Sequence, residues 1–310
     1  ADGKERPIQA EKLEAVIVFS GAHITTPCLT ALMQQGVPVT FLSSRGALFG
    51  RAESTAHFNI ERHRQQFKAS EDERFCLEVA KRFVRGKLHN ELVVLRRYNR
   101  YIQSQAVDQC IREISVCANR IETVQSLNQL NGIEGYGARQ YFAALSAMVR
   151  EEFRFKGRTR QPPRDPFNSL LSFGYTLLIY EIYAVVLSKG LHPYVGFLHR
   201  IRQGHPALAS DLMEEWRPVL VDTLVMRLVQ EKTVVREDFE PPDREGGVYL
   251  RKDRARLFIE NYQQRLNVEH QYLPAFGPLT FRQAIHHQVE DLVRAIESLN
   301  PEVYRPVMLR

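Results

Sequence analysis

Residues 165–188 limit the fold more than any other stretch. The segment DPFNSLLSFGYTLLIYEIYAVVLS carries Leu, Ile, Val, Phe and Tyr at every helical phase. Asp165 and Pro166 suit a helix start, and Lys189-Gly190 suits a helix end. A helix with no polar face must be surrounded by protein, so the chain is expected to build a large body around it. The apolar run 175–180 is followed at once by Glu181, and no uninterrupted apolar stretch reaches about 18 residues. A membrane span is therefore not expected. With 310 residues, 44% of them hydrophobic and 25% charged, the chain has material for about two domains. A chain disordered throughout is excluded.

The first 56 residues read differently. EAVIVFS at 14–20 is a short β-branched run that predicts a buried strand. Thr25-Thr26-Pro27 predicts a helix start, with the helix running to Gln35 and stopping at Gly36. VPVTFLS at 37–43 and the stretch 47–51 predict two more strands around an Arg45-Gly46 turn. From residue 57 the period becomes helical. Helices are expected over 57–68, 71–103, 105–129, 134–150, 211–230, 252–266 and 279–298. A break is expected at Asn131-Gly132, a loop at 153–164, and a stop at Pro301. The expected fold class is α+β: a small N-terminal αβ domain (1–56), then a large, mostly α-helical domain (57–310).

Lys and Arg number 42 against 36 Asp and Glu, a net charge of +6. Only 9 of the 42 are Lys, and Arg is the better bidentate phosphate ligand. Such a balance is compatible with a nucleic-acid partner without requiring one. Cys28, Cys76, Cys110 and Cys117 show no CxxC spacing, so a reduced cytoplasmic protein is the default.

Three segments at expected chain breaks carry metal-competent side chains. NGIEGYGARQYF places Glu134 between glycines at an expected helix entry, where it could also just favour the helix dipole. GLHPYVGFLHRIRQGHP holds His192, His199 and His205, none in a zinc-protease or zinc-finger spacing. SDLMEEWRP sets Asp211 three residues before Glu214 and four before Glu215, so either pair could share a helix face. The same D-x-x-E is also a capping box. Two carboxylates and an imidazole form an O,O,N set suited to Mg²⁺ or Mn²⁺, with the imidazole leaning toward Mn²⁺. Metal-held carboxylates beside Arg are what phosphodiester chemistry needs.

These segments together resemble the CRISPR-associated integrase family, the metal-dependent nuclease-integrase of the spacer adaptation complex. The resemblance covers nearly the whole chain. VIVFSGAHITTPCLTALMQQGVPVTFLSSRGALFGR is similar to that family's β-domain core. GIEGYGARQYF, GFLHR and LASDLMEEWRP match its three motifs in order. The match implies that Glu134, His199 and Asp211 bind the metal, that His199 rather than His192 is the site histidine, and that Glu214 is a further catalytic carboxylate. The implied reaction is transesterification, in which a 3′-hydroxyl of short foreign DNA attacks the edge of a CRISPR repeat. A stand-alone endonuclease acting on branched or single-stranded nucleic acid is the alternative. Candidate DNA contacts are Arg139, Arg154, Lys156, Arg158, Arg160, Arg164, Arg200, Arg202 and Arg217. The resemblance implies a homodimer, a small ferredoxin-like partner and the prokaryotic cytoplasm. Family members usually begin with further strands before residue 14, so the start of this chain looks shortened. Some relatives are fused there to a RecB-like exonuclease.

Overall fold

The computed structural model describes residues 8, 9, 13–55, 59–271 and 277–309. Its first layer is a three-stranded sheet in the order β1 (Val16–Phe19), β2 (Val39–Leu42), β3 (Leu48–Ala52). β1 pairs parallel to β2, and β2 pairs antiparallel to β3. The parallel pair needs a crossover, which α1 (Thr26–Gln34) provides. Thr25 Oγ1 accepts from Cys28 N, and Pro27 occupies the first turn, as expected. Alternation along β1 splits its side chains. Val16 and Val18 pack with Leu32, Val37 and Val39, whereas Ile17 and Phe19 pack against the helical core. The expected boundary between 56 and 57 lies outside the described residues, as does most of the segment before β1.

The helical part begins with two consecutive helices. α2 (Ile60–Glu71) leads into α3 (Glu73–Ile102), whose N-cap Asp72 accepts from Arg74 N and Phe75 N. α4 (Gln105–Arg120) and α5 (Leu127–Met148) pack against α3 and against each other. The expected break at Asn131-Gly132 does not occur: α5 runs straight through it. Its start is at Ser126, whose hydroxyl accepts from Gln129 N, and the 105–129 segment instead stops at Arg120. Gly132 and Gly135 border open space. Gly in an exposed helix interior costs only about 1 kcal/mol against Ala, which packing along α3 outweighs. Gly137 has a different use. A Cβ there would come within 2.8 Å of Leu88 Cδ2, so its absence lets α5 lie close on α3.

α6 (Pro166–Ser188) is the apolar helix expected from the sequence, capped by Asp165 through Asn168 N at 2.8 Å. It is long and apolar enough to cross a bilayer, but 67% of its most apolar window is buried inside the protein. The core therefore forms around it. The expected helix 211–230 is three pieces: α7 (Ala207–Met213), a π-helical turn (Arg217–Asp222) and α8 (Thr223–Gln230). Pro218 interrupts the hydrogen-bond ladder there. α9 (Lys252–Leu266), the two-residue strands β4 (Glu269–His270) and β5 (Leu279–Thr280), and α10 (Phe281–Ser298) complete the fold. All four cysteines are free.

Candidate active site

Four elements meet at one place: the middle of α3, the first half of α5, the loop after α6, and the end of α7. α3 supplies Lys87 and Glu91, and α5 supplies Glu134. Glu134 is not at a helix entry, as its glycine neighbours had suggested, but two turns inside α5. The loop supplies His199. Asp211 lies late in α7 and Glu214 just past its end, so the acidic pair closes a helix rather than opening one, and the capping box is not formed.

The Lys87 ammonium sits between two carboxylates. It pairs with Glu134, and it lies 2.7 Å from Glu214 Oε2. Glu214 Oε1 accepts from Arg217 Nη1 at 2.6 Å and lies 3.9 Å from His199 Nε2. Burial works against ionising Glu214, but Arg217 and Lys87 outweigh it and hold its carboxyl far below the usual range. Burial likewise disfavours the Lys87 cation, yet Glu214 and Glu134 keep it charged.

Asp211 has a different environment. It is fully buried, and its two oxygens accept from four donors: Phe197 N at 2.6 Å, Leu198 N at 3.0 Å, His199 N at 2.9 Å and His199 Nδ1 at 2.6 Å. Its lone pairs are spent on shaping the 197–199 loop and orienting the imidazole. With Nδ1 donating to Asp211, Nε2 is the nitrogen that faces Glu214. The loop's close approach needs Gly196, where a Cβ would lie 2.6 Å from Asp211 Oδ2. Burial lowers the basicity of His199, but Asp211 and Glu214 reverse that and raise it overall.

Glu215, the alternative partner to Asp211, points away from this group. Its carboxyl group accepts from Tyr304 Oη and from Val307 N, near the C-terminal end of the chain. His192 packs among His63, Phe67 and Tyr194, and its backbone N donates to Gln66 Oε1. His205 stands 6.0 Å from His199, ring to ring.

Beneath the site lies a second buried layer that the sequence did not disclose. Asp222 accepts from Tyr175 Oη at 2.6 Å and Tyr141 Oη at 2.9 Å. Burial lifts Asp222 to about 6, against the pull of those two hydroxyls, and lifts Glu91 to about 8, against that of Lys87. Lys87 and Glu91 had one available signal: charges four apart among the apolar positions Phe83, Val84, Leu88 and Leu92 of one helix.

The candidate DNA contacts separate. Arg154, Lys156, Arg160, Arg164, Arg139, Arg200 and Arg202 are exposed. Arg164 is tied to the Glu245 carbonyl, and Arg139 lies over the Tyr136 ring. Arg217 is committed to Glu214 and to the Tyr175 face at 5.0 Å. Arg158 is turned inward: it donates to Asn168 Oδ1 and Ser172 Oγ, both at 2.9 Å, and faces Tyr175. The 153–164 loop is therefore basic outside but anchored by its central arginine.

Comparisons with known proteins give the family. The family model "CRISPR associated protein Cas1" matches residues 1–264. The chain belongs to the Cas1 family. A relative named CRISPR-associated endonuclease Cas1 3, from Thermus thermophilus, is 38% identical over 307 residues, covering 99% of this chain and 88% of its own length. A Geobacter sulfurreducens protein named as a CRISPR-associated exonuclease Cas4/endonuclease Cas1 fusion is 33% identical. That match takes in 92% of this chain and 52% of the fusion. Among solved structures, a Cas6-RT-Cas1–Cas2 complex superposes with a TM-score of 0.81 at 26% identity. The match covers 96% of this chain and 32% of that one, so this chain spans about a third of that polypeptide. The α+β architecture and the CRISPR-associated family expected from the motifs are thereby established.

Among the described residues, no three of the His, Cys, Asp and Glu side chains converge closely enough to hold a metal as they stand. The reason is visible at Lys87, whose ammonium fills the space between Glu134 and Glu214. Glu134 and Glu214 already hold one cation between them and His199 Nε2 faces Glu214, and oxygen and imidazole donors are of the type that suits a hard divalent ion.

Proposed function

We propose that this Cas1-family chain is a divalent-metal-dependent DNA endonuclease that joins 3′-OH ends of short DNA to a CRISPR repeat. One observation carries the reading: Glu134 and Glu214 share the Lys87 cation, and His199 Nε2 faces the same carboxylate. Glu134, His199 and Glu214 would hold Mg²⁺ or Mn²⁺. The Asp211 oxygens are saturated by backbone and imidazole donors, so its role becomes that of a positioning residue and the ligand role passes to Glu214.

The bound ion would supply Lewis-acid polarisation of a phosphoryl oxygen. The chain's own residues do the rest. Asp211 fixes the tautomer and angle of His199. Arg217 holds Glu214 ionised and in place. Lys87, once released from Glu134, adds positive charge beside the scissile phosphate. In joining, the incoming 3′-oxygen forms a bond to phosphorus, its proton goes to solvent, and the 3′-oxygen of the target strand leaves. With water as nucleophile the same site cleaves. Neither course needs a covalent protein intermediate.

The named Cas1–Cas2 complex and the Cas4/Cas1 fusion support a small ferredoxin-like partner of the Cas2 type and an associated exonuclease. A homodimer and a cytoplasmic location belong to the same proposal. The test is a joining assay with a 3′-OH duplex, a repeat-containing plasmid and the small partner in Mn²⁺. Covalent joining that disappears in Glu134→Ala supports the proposal. Cleavage of branched DNA without joining would instead favour a stand-alone endonuclease.

A further inference from the structure

α3 does not end at the site. It continues for about 20 Å beyond Lys87, at about 1.5 Å per residue, to a tip at Tyr101 and Ile102. At about 100° per residue, Glu91, Tyr98 and Tyr101 return to within about 40° of the direction of Lys87. The face that carries the site therefore also carries the two tyrosines near the tip.

Three guanidinium groups from three helices gather there. Arg227 of α8 reaches Asn261 of α9, which lies four residues before Arg265 and so on the same helix face; Arg265 bonds the π-helical turn that packs against α3, where Arg97 adjoins Tyr98. Arg265 is built into the wall: it donates to the Val219 carbonyl at 3.2 Å and lies over the Phe281 ring at 5.2 Å. Arg97 and Arg227 are exposed, and neither is in an ion pair among the described residues. Arg227 is steered by a single hydrogen bond to Asn261 Oδ1 at 3.1 Å. Tyr101 is 83% exposed. The tip under it is rigid, because the Asn99 side chain bonds Ser104 N, Ser104 O and Asp108 Oδ1.

Each arginine lies toward the end of a helix, where a cation contributes about 0.3–1 kcal/mol through the dipole. That accounts for single cations, not for three converging on one aromatic patch beside an exposed tyrosine. Arginine forks with an exposed aromatic are the composition that holds a nucleic-acid backbone.

We propose that Arg97 and Arg227, with Tyr101 at the outer edge, form a second DNA contact that grips the backbone of a duplex arm about 20 Å from the reaction centre. This rests on the DNA-directed reading of the site. At about 3.4 Å per base pair, a duplex laid along α3 reaches the patch after about six pairs.

The test uses the full chain carrying Arg97→Glu and Arg227→Glu together, with branched DNA whose arm is three or fifteen base pairs long. Fluorescence anisotropy is read over a salt series. The proposal expects at least a tenfold affinity loss for the long arm, with the salt slope falling by about 2, near 0.9 per phosphate contact. Affinity for the short arm, and its cleavage, should not change. Equal loss on both arms, or none on either, overturns the patch. If urea midpoints show that the double variant is destabilised, Arg97→Gln with Arg227→Gln repeats the comparison on the same criteria. Failure of the unmodified protein to bind either DNA would instead overturn the functional reading itself.

Discussion

The Lys87 ammonium lies 2.7 Å from Glu214 Oε2 and also pairs with Glu134, so two carboxylates of the site share one internal cation. That cation must leave for a divalent ion to enter. Lys87→Met should therefore lower the melting temperature of the metal-free protein, because it strands two carboxylates beside each other. It should also tighten Mn²⁺ binding by tenfold or more, about 1.4 kcal/mol, read by calorimetry without DNA. Weaker Mn²⁺ binding would show that Lys87 supports the metal rather than standing in for it.

Asp211 and Glu214 should fail in different ways. Glu214→Gln should abolish cleavage, joining and Mn²⁺ binding, and it should also lower the urea midpoint, because it takes from buried Lys87 and Arg217 the carboxylate they share. Asp211→Asn places an amide where four donors converge, so it should cost about 2–3 kcal/mol of stability before any effect on chemistry. Equal loss of Mn²⁺ affinity in the two variants would remove the distinction between ligand and positioning residue.

Burial pushes the Glu215 carboxyl up to about 8 from an ordinary 4.5, against the Tyr304 and Val307 hydrogen bonds. Its folded-state value is raised, so between about pH 4.5 and 8 the unfolded chain releases a proton that the folded chain keeps. Stability should then fall as pH rises through that window, by on the order of 1 kcal/mol per pH unit from this group. Glu215→Gln should shrink the difference between urea midpoints at pH 5 and pH 8. An unchanged difference would assign the dependence to Glu91 and Asp222 instead.

Two arginines of the 153–164 loop should behave as opposites. Arg158→Ala removes bonds to Asn168 and Ser172 and should cost about 1–3 kcal/mol of stability, with little change in the salt slope of DNA binding. Arg160→Ala should leave stability alone and lower that slope by about 1. A salt-slope change in Arg158→Ala at full stability would return that residue to the DNA-facing set.

Much of the architecture was legible because local and tertiary signals agree. Thr25 with Pro27 and Asp165 with Pro166 start helices where caps predict them, and β-branched runs form β1 and β2. The misreadings came where local signals lost to packing. Asn131-Gly132 looked like a turn, but α5 is held against α3 and α4 along its length, and two glycines do not stop it. Asp211 and Glu214 looked like a helix start because spacing cannot tell which end of a helix an acidic pair occupies. Glu134 and His199 were legible by type, whereas Lys87 was not. Its partners come from α5 and the end of α7, 47 and 127 positions away in sequence. Arg158 read as a DNA contact because composition reports charge but not the direction a side chain takes.

The π-helical turn at Arg217–Asp222 has a consequence for how this chain tolerates change in length. A π turn carries one residue more than the α-helical path it replaces. Arg217 faces the reaction centre on one side of it, and Asp222 meets Tyr141 and Tyr175 on the other. The wider turn absorbs that extra residue; in an unbroken α-helix it would rotate everything after it by about 100°. Asp222 would swing off its tyrosines, and Arg227 would leave its place beside Asn261, while Glu214 and Arg217 stayed where they are. The segment is thus a phase buffer: it takes up one surplus residue and keeps the front and the back of the protein in step.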